Sequence, residues 1–146
     1  MNEEEKKTTA REPFSLRAEY IAVQAEMQAV QKDRENPFFR SNYATLLAIA
    51  TMLKPILAKH GLAYTQTVEN GNMVTRIFGD GEGQIESCIP FACDSKDPQK
   101  VGSYVSYLRR YSLSAAFGVV VADDEADDDG NKASGKVSKD EGSSPF

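Results

Sequence analysis

The sequence predicts an α+β domain in which a three-stranded antiparallel β-meander packs with helices and leads into a disordered acidic tail. Three observations predict it. Extended runs at 62–68, 73–78 and 84–90 are separated by Asn70-Gly71 and by GDGEG at 79–83, and Asn-Gly between two extended runs is a strong hairpin signal. Segments at 16–33, 44–60 and 99–118 carry side chains at helical spacing instead. Residues 123–146 hold eight acids and no aromatic side chain except the last, which is too little apolar surface to offset the entropy of ordering. The expected organisation is a flexible N-terminus at 1–15, one domain at 16–122 and the tail at 123–146.

Each element has its own reason. Leu16, Tyr20, Val23, Met27 and Val30 alternate at spacings of four and three, giving a helix over 16–33 with one narrow apolar seam that packs on the domain or on a neighbouring subunit. Asn36-Pro37 stops helical propagation. In the second helix Leu46, Ile49, Leu53, Ile56 and Leu57 face inward, Pro55 is expected to kink or restart it, and His60-Gly61 forms its C-terminal cap. Pro98 ends the loop after the third strand, and the last helix begins near Gln99.

Composition excludes several function classes. Apolar runs are broken by charge or Pro within about ten residues, too short to span a bilayer. The start, MNEEEKK, is acidic where a signal peptide is basic and then apolar, so the expected location is the cytoplasm. Cys88, Cys93 and the single His60 supply neither a zinc set nor a nucleophile–base pair, and no enzyme is expected. Residues 130–136, GNKASGK, match the opening of a phosphate-binding loop, but Val137 stands where Ser or Thr must ligate Mg²⁺. Asp127, Asp129 and Gly130 resemble part of a calcium loop, whose twelfth position is here Lys136 in place of Glu. No cofactor is expected, beyond a weak association of Mg²⁺ with the exposed acids.

The net charge of −5 is unevenly spread. Six acids lie within 123–129, so the remainder of the chain carries +1. Residues 99–122 hold Lys100, Arg109 and Arg110 without an acid, and 21–60 hold five basic against three acidic side chains. A phosphate backbone responds to charge within a Debye length of about 8 Å, not to the global sum. In 102–118, GSYVSYLRRYSLSAAFG, the stripe Tyr104, Tyr107 and Tyr111 is interrupted by Arg109 and Arg110, placing guanidinium and phenol groups within one turn. Cations that bind phosphate beside rings that stack on bases suit single-stranded nucleic acid. The competing reading is a helix whose tyrosines are core and whose arginines are merely solvated. Phe38, Phe39, Arg40 and Tyr43 form a second basic, aromatic patch.

The segment 102–118, followed by DDEADDDGN, resembles the C-terminal signature of the ERF family of phage single-strand annealing proteins. Residues 32–61, KDRENPFFRSNYATLLAIATMLKPILAKHG, resemble the N-terminal block of the same family, in the right order. The resemblance spans about 18–131. It implies a β-β-β-α annealer core, ATP-independent annealing of complementary strands during phage recombination inside a bacterial host, and assembly into rings or filaments. On that reading Lys32, Arg34, Arg40, Lys100, Arg109 and Arg110 are the candidate phosphate contacts, and Tyr43 and Tyr111 the candidate stacking rings. A module that coats single strands without annealing them, and an adaptor for host replication proteins, remain as alternatives. The last residues, ending in Pro145-Phe146, resemble the partner-docking tip of bacterial single-stranded-DNA-binding proteins, although only Asp140 and Glu141 precede them closely.

Overall fold

The computed structural model of the protein describes residues 12–37 and 41–122. Within them lie helices α1 (Leu16–Glu26), α2 (Leu46–Lys59) and α3 (Pro98–Phe117). The strands are β1 (Val30–Gln31), β2 (Arg34–Asn36), β3 (Ser41–Tyr43), β4 (Leu62–Glu69), β5 (Asn72–Gly79), β6 (Ile85–Pro90) and β7 (Val121–Ala122). The class is α+β, as expected. The expectations placed on 1–11, on Phe38, Phe39 and Arg40, and on the acidic tail with Pro145 and Phe146 lie outside the described residues.

The three long strands pair antiparallel in the order β4-β5-β6. Pairing of Glu69 with Asn72 leaves Asn70-Gly71 as a two-residue turn, with φ of 49° and 74°. Both central residues are left-handed, the conformation that lets a hairpin turn follow the strand twist and that Asn-Gly tolerates. Along β5, Met73, Thr75 and Ile77 are buried on the face beneath α3. There Tyr64 meets Phe117 edge-on at 6.0 Å, and Gln66 Nε2 donates to the Arg109 carbonyl at 3.0 Å. Val23, Ile49, Leu53, Leu57, Ile77, Leu113 and Phe117 join three helices and the sheet in one core. Full burial of such side chains contributes about 1.5–3 kcal/mol each.

The helix expected over 16–33 ends at Glu26, a correction with a clear cause. Met27 already has extended geometry (φ −61°, ψ 138°), and Val30 leaves the helix to pair in parallel with Val121. The seam spacing is met by a shorter helix followed by a buried β-branched residue, and pairing with β7 decides between them. Residues 34–36 then pair with 41–43 as a second hairpin that hydrophobic periodicity did not announce. Helix α2 is continuous across Pro55 rather than restarted, with Ile49 and Leu53 on one side of the proline and Leu57 on the other buried in the core. Helix α3 starts one residue earlier than expected, with Pro98 in its first turn and Asp97 as N-cap accepting from the Gln99 amide at 3.1 Å.

Two tertiary ties hold the N-terminal segment. Phe14 lies so close over Gly79 that an added Cβ would sit 2.1 Å from its ring. His60, the C-cap of α2, reaches Glu19 through Nδ1 (2.9 Å) and Glu26 through Nε2 (2.7 Å), clamping α1 to α2. Those bonds, to Glu26 first and Glu19 second, raise the imidazole pKa.

Candidate nucleic-acid interface

Helix α3 has two unlike faces. Leu108, Ser112, Leu113 and Phe117 are buried against the sheet and the other helices. Tyr107 and Tyr111 stay 49% and 46% exposed, so these two tyrosines are not core. Tyr104 is half-buried, edge-on to Phe91 at 5.1 Å, and its hydroxyl accepts from the Ala92 amide at 3.3 Å. From there the stripe runs outward, Tyr104 to Tyr107 with centroids 6.3 Å apart and Tyr107 to Tyr111 at 4.5 Å. The hydrogen bond with Tyr111 is the largest of the effects that raise the Tyr107 phenol pKa.

The β2–β3 hairpin brings a fourth ring to this face. Asp33, just before β2, accepts from the Thr45 amide and the Thr45 hydroxyl, each at 2.8 Å. Thr45 is the N-cap of α2, its hydroxyl accepting from the Ala48 amide. These two bonds, backbone first, hold the Asp33 carboxyl below its usual pKa. The hairpin is thereby fastened to the start of α2, and register places Arg34 beside Tyr43. The Arg110 guanidinium then lies 4.6 Å from the centroid of Tyr43, 4.6 Å from that of Tyr111 and 5.7 Å from that of Tyr107. Each such contact at an exposed site is worth about 0.5–1 kcal/mol, and stacking on ring faces fixes the plane of a guanidinium.

Around this cage opens a groove of about 980 Å³, walled by Arg34, Asn42, Tyr43, Leu47, Tyr107 and Tyr111 among others. Among the described residues neither Arg34 nor Arg110 is ion-paired with a carboxylate. The arrangement can therefore offer an unneutralised, oriented fork of N–H donors beside exposed ring faces.

The expected site residues divide. Arg34, Tyr43, Arg110 and Tyr111 meet in the groove. Lys100 shares the α3 face of Tyr107 and Tyr111, about 15 Å along the axis from Arg110. Arg109 turns to the opposite side, exposed, where its charge partly offsets the rise that burial gives the Tyr64 pKa. Lys32 sits half-buried between β1 and β2 and is engaged by a partner. Arg40 lies outside the described residues. Tyr107, Asn42 and Leu47 also line the groove and were not among the expected contacts. For Tyr107 the i,i+4 spacing to Tyr111 was the available signal.

A family model of the ERF superfamily matches residues 16–144. The chain belongs to that family. The two sequence blocks at 32–61 and 102–118 thus identified an ERF-family single-strand annealing protein correctly, and the ERF assignment sets its coarse role in phage recombination. No curated protein and no solved structure matches the chain. Among the described residues of this ERF chain, no helix is long and apolar enough to cross a membrane, and no cluster of three or more His, Cys, Asp or Glu is placed to hold a metal.

Proposed function

We propose that this ERF-family protein binds single-stranded DNA in the groove between the β2–β3 hairpin and α3, and anneals complementary strands without nucleotide hydrolysis. The observation that carries this reading is Arg110, held among Tyr43, Tyr107 and Tyr111 at the wall of an open groove. Arg110 and Arg34 contact phosphates, Tyr43 and Tyr111 stack on bases, and Lys100 extends the track along α3. Lys32, Arg40 and Arg109 serve as outlying phosphate contacts. Annealing is downhill, so holding strands with bases accessible and lowering phosphate repulsion suffices, and no cofactor is needed.

One subunit with a few cations binds weakly, whereas a ring or filament repeats the groove along the strand and multiplies affinity by avidity. The outer edges of β4 and β6, which pair with no other strand among the described residues, support assembly by leaving backbone groups for a neighbour. Pro145 and Phe146 are proposed as a docking tip for host replication proteins. Removing them leaves annealing of naked strands intact and abolishes capture of those proteins.

The test mixes complementary oligonucleotides with the protein without ATP and follows duplex formation. Acceleration is expected. Binding without acceleration would leave a coating module, and neither outcome would leave an adaptor.

A further inference from the structure

Strand β7 ends where the acidic run begins, and its pairing gives that run a direction. Val121 pairs with Val30 and Ala122 with Gln31 in parallel, anchored by the Val30 amide donating to the Val120 carbonyl at 2.9 Å. A parallel strand advances with its partner, so the chain leaving Ala122 heads the same way as the chain leaving Gln31. That chain is Lys32-Asp33-Arg34, and Asp33 and Arg34 already line the groove.

We propose that residues 123–129 of this chain occupy the Arg34–Arg110 groove when nucleic acid is absent, and that single-stranded DNA binds by displacing them. The competition with DNA rests on the function proposed above; the docking of the tail does not.

Reach is sufficient. Arg34 is three residues beyond Gln31, about 10 Å of extended strand, and the seven residues 123–129 span up to about 23 Å. Arg110 contacts the ring of Tyr43, the register partner of Arg34, so it lies roughly one strand spacing further across. Charge is complementary, because six of those seven residues are acids while neither groove arginine is ion-paired with a described carboxylate. Exposed ion pairs are individually weak. Tethering through β7 supplies an effective concentration on the order of millimolar, enough to fill the groove yet weak enough for a multivalent strand to displace. A polyanion in cis would also restrain binding of isolated phosphates, leaving the groove to a ligand that meets several cations together.

The test uses the full chain. Zero-length carbodiimide coupling followed by peptide mass spectrometry is expected to join Lys32 to a carboxylate within 123–129, and added oligothymidine is expected to suppress that product. In a mixture of light and heavy isotope-labelled protein the product must be intramolecular; products joining only different copies would assign the groove to a neighbour's tail and overturn the proposal. Two full-length variants are then titrated with labelled oligothymidine at low salt. One converts the six acids of 123–129 to Asn or Gln; the other keeps their number but moves them beyond residue 134. Both are expected to bind on the order of tenfold more tightly than the parent. If the relocated variant binds like the parent, general repulsion rather than docking is at work and the proposal falls. Because the coupling in free protein needs no DNA, failure to bind oligothymidine would overturn the proposed function without deciding the tail contact.

Discussion

Two arginines in this molecule occupy opposite electrostatic situations. Arg76, on the face of the β4-β5-β6 sheet away from α3, is held by Glu69 on one side and by Glu86 on the other, with Nε to Glu86 at 3.0 Å. Arg110 is held by three tyrosine rings and by no described carboxylate. Both are ordered, but only the second keeps its charge for a ligand. A guanidinium between carboxylates serves the sheet; one fixed by ring faces is oriented and still cationic. The lesson is that the neighbours which orient a cation, more than its presence, decide whether it can recognise phosphate.

The sharpest way to break this comparison is to remove the groove cations. Arg34→Ala with Arg110→Ala is expected to weaken single-strand binding on the order of a hundredfold at low salt and to lower the slope of log K against log salt by about 1.4, at roughly 0.7 for each lost contact. Arg76→Ala is expected to leave that slope unchanged while lowering the melting temperature. Equal slope changes in the two proteins would abolish the distinction.

A gentler substitution sharpens the role of the cage. Arg110→Lys keeps the charge but loses the planar fork, so binding should fall by about threefold to tenfold with the salt slope nearly preserved. Fluorescence anisotropy with labelled oligothymidine reads both quantities.

The sheet region can be weakened alone. Gly71→Ala places a side chain at φ 74°, and about 1 kcal/mol of stability should be lost in urea titration with groove affinity unaltered.

Protonation supplies the smallest and most selective probes. The bond with Arg76, ahead of that with Thr67, lowers the Glu69 pKa below its usual 4.5. Its stabilisation is therefore present above pH 4.5 and is lost as pH falls through the lowered value. His60 behaves oppositely. Its pKa is raised above 6.5, so the clamp between α1 and α2 is fully present below pH 6.5 and lost as pH rises through the raised value. His60→Gln should remove the alkaline decline in melting temperature while leaving the acidic one intact; persistence of the alkaline decline would place its origin elsewhere.

Much of the fold was legible because local chemistry agreed with the final structure. Asn70-Gly71 turns the hairpin, Asp97 and Pro98 open α3, and Gly118 ends it at φ 65°. Helix α1 was overextended because Met27 and Val30 satisfy a helical seam and a buried strand equally well, and only Val121, distant in sequence, distinguishes them. The β2–β3 hairpin was missed since its stabiliser, Asp33 capping Thr45, is a side-chain bond between residues of no apolar pattern.

The candidate site divides along the same line. By itself the sequence determined the family, the helical phase that groups Tyr107, Arg110 and Tyr111, and the segregation of acids into 123–129, because spacing and composition are properties of a chain. Tertiary structure alone decided that Arg109 and Arg110 part company, that Tyr43 joins Arg110 and that Arg76 is neutralised. Those outcomes depend on which distant side chains arrive within a few ångströms, and electrostatic and ring interactions fall off too steeply with distance for spacing along the chain to report them.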